Sequence, residues 1–130
     1  MEEKNGFKKV LLVEDDPFLI DIYSGKLKES GFLVSVVEDG ERALQKIREE
    51  TPDLVVLDIV LPKIDGWEIM REIKKDKRLN NLKVVILSNL GQKGEIEKGL
   101  EMGAQKYLIK AHYTPSEIVN QIKEVFEKNG

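Results

Sequence analysis

Short apolar runs separated by helical stretches constrain this chain more than any other feature. Val10-Leu11-Leu12-Val13, Leu54-Val55-Val56-Leu57 and Val84-Val85-Ile86-Leu87 are continuous rather than alternating. That is the pattern of strands buried on both faces of a parallel sheet. Tyr107-Leu108-Ile109 extends the series, and Leu33-Val34-Ser35-Val36-Val37, interrupted by a polar residue, suits a place near the sheet edge. Five strand–helix units of this length predict a three-layer α/β sandwich, a (βα)5 fold. Right-handed crossovers make its parallel sheet doubly wound, most simply in the order 2-1-3-4-5.

The helices are announced by their ends. Asp16-Pro17 opens the first, which carries Leu19, Ile20, Tyr23 and Leu27 inward and stops at Gly31. The second turns Ala43, Leu44 and Ile47 inward. Thr51-Pro52 punctuates before the third strand, and Asp65-Gly66 precedes a helix with Ile69, Met70 and Ile73 on one face. The fourth, from Gln92 to Met102, contains Gly94 and Gly99 and ends at Gly103. Each internal glycine costs about 1 kcal/mol against alanine, so this helix is expected to be mobile. The last has a full start signal, with Thr114 as N-cap, Pro115 at the first position and Glu117 completing a capping box. Ile118, Val119, Ile122, Val125 and Phe126 form its apolar stripe.

Composition narrows the function. A chain of 130 residues with 41% apolar content reads as one domain over 1–130, its core over about 8–128, with no linker or second domain visible. Its 21 basic and 24 acidic residues are mixed along the chain, without the basic block that nucleic acid demands. Absence of cysteine excludes disulfides and thiolate metal sites. The opening Met1 to Gly6 is charged and lacks an apolar signal core, and no run reaches membrane length, so a cytoplasmic protein is expected.

The chemistry lies at the strand ends. In a doubly wound sheet, ligands bind in the crevice outside the carboxyl ends of the strands. Here the first strand ends on Glu14-Asp15, the third on Asp58, the fourth on Ser88 and the fifth on Lys110. Two carboxylates about 4 Å apart repel by about 4 kcal/mol at an effective dielectric of 20. Three in one crevice therefore call for a cation or a raised pKa, and a hard, oxygen-ligated Mg²⁺ is the natural counter-charge. Asp16, directly before Pro17, reads as a helix cap instead. Asp58 can serve as metal ligand, as nucleophile forming an aspartyl phosphate, or as both. Lys110 supplies a second positive charge for Asp58 before transfer and for a phosphoryl group after it, while Ser88 offers a hydroxyl.

Along nearly its whole length the chain resembles the receiver domain of two-component response regulators, a flavodoxin-like fold. The resemblance rests on Val13-Glu14-Asp15, Asp58 followed by Pro62 and Asp65-Gly66, Ser88, Gly103-Ala104, Tyr107 and Lys110. Ser88 follows Asp58 by 30 residues and Lys110 by 52, the spacing receivers have. It implies that Asp58 is the phospho-acceptor, charged from a histidine of a sensor kinase or phosphotransfer protein. Asp15 and Asp58, with the main-chain carbonyl of Val60, would ligate Mg²⁺, and Glu14 would act through metal-bound water. Ser88 and Tyr107 would form the switch pair, Tyr107 turning inward as the loop after the fourth strand follows Ser88 to the phosphoryl group. With no output domain visible, the leading expectation is a stand-alone receiver that signals to a downstream protein, as a monomer or a phosphorylation-dependent dimer, and is not an enzyme in the usual sense.

Two features depart from the family pattern. Ala111 follows Lys110 where receivers usually have proline with a cis bond, which predicts a trans bond and a reshaped loop over residues 110–114. Asn89 stands where the family prefers a very small residue. It would restrict access or donate a hydrogen bond to the phosphoryl group. Val60 and Leu90, both apolar, occupy the positions that tune attacking water and imply slow self-dephosphorylation. His112, the sole histidine, reads as an exposed loop residue, and Trp67 as packing. The competing readings are a receiver-shaped scaffold that is never phosphorylated and a Mg²⁺-dependent phosphatase with an aspartate nucleophile. The latter wants an Asp-x-Asp pair after the first strand. A flavin carrier would need a Ser/Thr/Gly-rich cradle where Glu14-Asp15-Asp16 stand.

Overall fold

The computed structural model describes residues 8–128; the charged opening segment Met1 to Gly6 lies outside them. Five strands and five helices alternate: β1 (Lys9–Val13), α1 (Pro17–Glu29), β2 (Leu33–Val37), α2 (Gly40–Glu50), β3 (Leu54–Leu57), α3 (Gly66–Lys75), β4 (Lys83–Ser88), α4 (Lys93–Glu101), β5 (Lys106–Ile109) and α5 (Pro115–Lys128). The strands form one parallel sheet in the order β2-β1-β3-β4-β5, which places the polar-interrupted β2 at the edge.

Side chains alternate across each strand, and the two faces fill two separate cores. Leu11, Val13, Val55, Leu57, Val84 and Ile86 face Ala43, Leu44 and Ile47 of α2 and Ile69 and Met70 of α3. Val10, Leu12, Leu54, Val56, Val85 and Leu87 face Tyr23 and Leu27 of α1 and Ile118, Val119, Ile122 and Val125 of α5. The continuous apolar runs are thus explained by burial on both sides.

Caps close the helices where the sequence placed them. Asp16 Oδ1 accepts from the backbone N–H groups of Phe18 and Leu19. Thr114 Oγ1 accepts from the Glu117 N–H, while Glu117 Oε1 accepts from the Thr114 N–H, completing the capping box. Gly31 and Gly103, at φ 94° and 110°, end α1 and α4 in the left-handed conformation glycine favours.

In α4 the two glycines serve different ends. A side chain on Gly94 would meet open space, but a Cβ on Gly99 would lie 2.7 Å from the Tyr107 ring and 2.8 Å from Ile86. Gly99 therefore sets a close approach of α4 to β4 and β5 rather than simply loosening the helix.

Candidate phosphoryl-transfer site

The register of the sheet brings the four strand ends together. β1 lies between β2 and β3, and β4 between β3 and β5, so Glu14, Asp15, Asp58, Ser88 and Lys110 all line one open cavity at the carboxyl edge. Carboxylate oxygens of Glu14, Asp15 and Asp58 lie within 4.8 Å of one another.

Lys110 is the hub. Its ammonium lies 2.7 Å from Asp58 Oδ2 and 2.7 Å from Glu14 Oε1, with only 10% of its side chain exposed. Burial by itself pulls the Lys110 pKa down, but the hydrogen bonds and charges of Asp58 and Glu14 outweigh it and leave the pKa raised. Burial pushes the Glu14 carboxyl above its ordinary value, against the opposing pull of Lys110. The second oxygen of Glu14 accepts from the Asp16 N–H, and Asp58 Oδ1 accepts from the Val60 N–H. The Glu14–Lys110 pair was not foreseen from the sequence, which paired Lys110 with Asp58 alone.

This donor set suits a divalent ion. Three carboxylates against one ammonium leave two formal negative charges, and every available ligand atom is a hard oxygen. Asp15 is exposed and makes no ion pair or side-chain hydrogen bond among the described residues, so its carboxylate is available as a ligand.

Asp58 is held from behind by Gly66. The Gly66 N–H donates to the Ile59 carbonyl at 2.8 Å, and a Cβ on Gly66 would lie 2.6 Å from the Asp58 carbonyl oxygen. The Asp65-Gly66 pair therefore does two jobs: Asp65 caps α3 through the Glu68 N–H, and Gly66 lets that helix abut the main chain of Asp58.

Ser88 is fully buried, and its Oγ accepts from the Leu90 N–H. The Tyr107 hydroxyl donates to the Leu90 carbonyl, so the main chain of one residue joins the two side chains of the expected switch pair. Sequence reasoning missed this link because a backbone contact leaves no residue-type signal. Tyr107 is half-buried, and its hydroxyl already points to the loop after β4.

The peptide bond after Lys110 follows the expectation. All peptide bonds of the described residues are trans, that between Lys110 and Ala111 included, and Lys110–His112 form a single 3₁₀ turn. His112 is exposed. Trp67 packs against the core, with the Lys98 ammonium 4.3 Å from its ring centroid.

A doubly wound sheet with an acidic crevice and a buried lysine at its carboxyl edge defines a class of phosphoryl-accepting signalling domains, and comparison with known proteins agrees. The chain belongs to the response regulator receiver domain family, which it matches over residues 10–123. It is 33% identical to the alkaline phosphatase synthesis transcriptional regulatory protein PhoP of Bacillus subtilis, over 94% of this chain and 50% of that protein. Among solved structures, the BeF3-activated DrrB receiver domain superposes with a TM-score of 0.81 at 32% identity, covering 93% of this chain and 98% of that one. The BeF3-activated N-terminal receiver domain of Klebsiella pneumoniae RstA gives 0.80 at 32% identity, covering 88% and 95%. The chain spans about half the length of the curated relatives it matches. It is thus a phosphorylatable receiver of two-component signalling. No helix of the described residues is long and apolar enough to cross a membrane.

Proposed function

We propose that Asp58 accepts a phosphoryl group from a phosphohistidine of a sensor kinase or phosphotransfer protein, and that Ser88 and Tyr107 pass the change to a protein-binding surface. The observation that carries this reading is the Lys110 ammonium on the Asp58 carboxylate, buried among the other acidic groups of a receiver. In the transfer, a carboxylate oxygen of Asp58 bonds to phosphorus as the phosphorus–nitrogen bond breaks, and the imidazole leaves with its electron pair. Lys110 remains beside Asp58 and neutralises charge carried by the incoming oxygens. The Ser88 hydroxyl can keep accepting from the Leu90 N–H while its own proton is donated to a phosphoryl oxygen, since a hydroxyl offers one donor and two acceptor sites. Any shift of Ser88 is then felt at Leu90, and through its carbonyl at Tyr107.

Asp15, Asp58 and the Val60 carbonyl would hold Mg²⁺, with Glu14, whose two oxygens meet Lys110 and the Asp16 N–H, acting through water. When bound there, Mg²⁺ offsets the repulsion between the carboxylates and the phosphoryl oxygens. The protein turns over no free metabolite as its main task, and its downstream partner is a protein that reads the switched surface. The test is intact mass after incubation with phosphoramidate. A single Mg²⁺-dependent phosphoryl adduct on the wild type, absent from Asp58→Asn, is the expected result; an adduct that persists in that variant refutes the assignment.

Val60 and Leu90 line the same cavity and offer no polar group from their side chains to position a water. The phosphoryl group is therefore expected to survive longer on the wild type than on Val60→Asn, as read by loss of the adduct with time. A shorter wild-type lifetime would show that water is positioned by other groups.

A further inference from the structure

The two departures at Asn89 and Ala111 meet in space. Asn89 Oδ1 accepts a hydrogen bond from the Ala111 N–H at 3.2 Å, joining the loop after β4 to the turn after β5. Only a residue with a main-chain N–H can make this contact; proline at position 111 has none to give. The contact also settles which way the carboxamide faces, because the oxygen must lie toward the donor. The amide NH₂ is left as the free end, with no acceptor among the described residues, on a side chain that lines the same cavity as Asp58, Ser88 and Lys110.

We infer that Asn89 is a further phosphoryl-binding residue, anchored through Oδ1 by the Ala111 N–H so that Nδ2 donates to the phosphoryl oxygens carried on Asp58. The inference rests on Asp58 being the acceptor. It assigns Asn89 the part of a donor rather than of a gate. A carboxamide fixed at its oxygen is already oriented when the group arrives, so little side-chain freedom is lost at that moment.

The test compares phosphorylation by phosphoramidate with Mg²⁺ in wild type, Asn89→Leu, Asn89→Asp and Asp58→Asn, followed by intact mass. Leucine keeps the approximate shape and loses both hydrogen bonds; aspartate keeps the acceptor for Ala111 and replaces the donor with a negative charge. The rate is expected to fall in the order wild type, Asn89→Leu, Asn89→Asp, with the leucine variant about tenfold slower than wild type, the scale of one hydrogen bond to a charged group. Amide hydrogen exchange at Ala111 is expected to be slow in wild type and Asn89→Asp and fast in Asn89→Leu. A leucine variant as fast as wild type or faster, any other rate order, or an Ala111 amide that exchanges alike in all three overturns the inference while leaving Asp58 as acceptor. No adduct on the wild type, or one that persists in Asp58→Asn, overturns the acceptor assignment and this inference with it.

Discussion

Lys110→Met is expected to lose both stability and phosphorylation, and to recover much of the stability when the pH is lowered. In the wild type the ammonium separates two buried carboxylates, Glu14 and Asp58, whose side chains are 2% and 8% exposed. Methionine leaves them facing one another without a counter-charge. Breaking a buried ion pair by removing one partner costs about 3 kcal/mol or more, because the remaining charge stays desolvated. Phosphorylation by a small donor is expected to slow by about a hundredfold or more, the scale of losing one preorganised charge-stabilising group.

The pH dependence follows from Glu14. Its folded pKa already lies above the ordinary 4.5 through burial, and Lys110 is what holds it down. Without Lys110 it rises further. A group with a raised folded pKa contributes stability that is present below its unfolded value and is lost as the pH climbs through the folded one. The deficit of Lys110→Met is therefore largest at neutral pH and shrinks as the pH falls toward about 4.5. Urea unfolding of both proteins at several pH values reads this directly. A deficit that stays constant with pH would mean that the carboxylates do not depend on Lys110. Millimolar Mg²⁺ is expected to narrow the deficit at neutral pH by supplying the missing positive charge.

The second large effect is expected at Gly40, which carries no titratable group of its own. Gly40 opens α2, and a Cβ there would lie 1.8 Å from the Ile64 carbonyl oxygen and 2.6 Å from its carbon. Its own N–H donates to the Pro62 carbonyl. The loop between β3 and α3, which carries Val60, is thus seated directly on the first turn of α2. Alanine must push apart two backbones, neither of which can rotate out of the way as a side chain can. Gly40→Ala is expected to cost about 3 kcal/mol or more. Gly25→Ala is the matched control: nothing lies within 4 Å of the added methyl, and it sits inside α1. It is expected to stabilise by about 0.5–1 kcal/mol through helix propensity. Equal stability of the two variants in thermal unfolding would contradict the packing argument.

These two sites mark what the sequence could and could not say. Asp58, Lys110, Glu14, Asp15 and Ser88 were legible because each terminates an apolar run, and the parallel sheet has one carboxyl edge where such ends must meet. The caps at Asp16 and Thr114 were legible because their bonds are local, made to residues two and three positions on. Gly40 passed unnoticed, and Gly66 read only as part of a helix start and of the family pattern. The demand for a missing Cβ comes in each case from another segment's backbone, Ile64 in the first and Asp58–Ile59 in the second. Leu90 read only as an apolar position near water, whereas its role in joining Ser88 to Tyr107 belongs to its main chain. Any residue but proline could supply both groups, so composition and periodicity carry no trace of it. Asn89 and Ala111 stood out singly, but their pairing depends on the sheet placing β4 beside β5.

The most direct measurement on the central claim is chemical localisation of the phosphoryl group. Protein phosphorylated by phosphoramidate in the presence of Mg²⁺ is treated with borohydride, which reduces an aspartyl phosphate to homoserine, and the peptides are sequenced by mass spectrometry. Homoserine at position 58, and at no other aspartate, is the result expected of a site built from these strand ends. Reduction at Asp15 or another carboxylate, or an adduct that resists borohydride and maps to a hydroxyl or to His112, would contradict it.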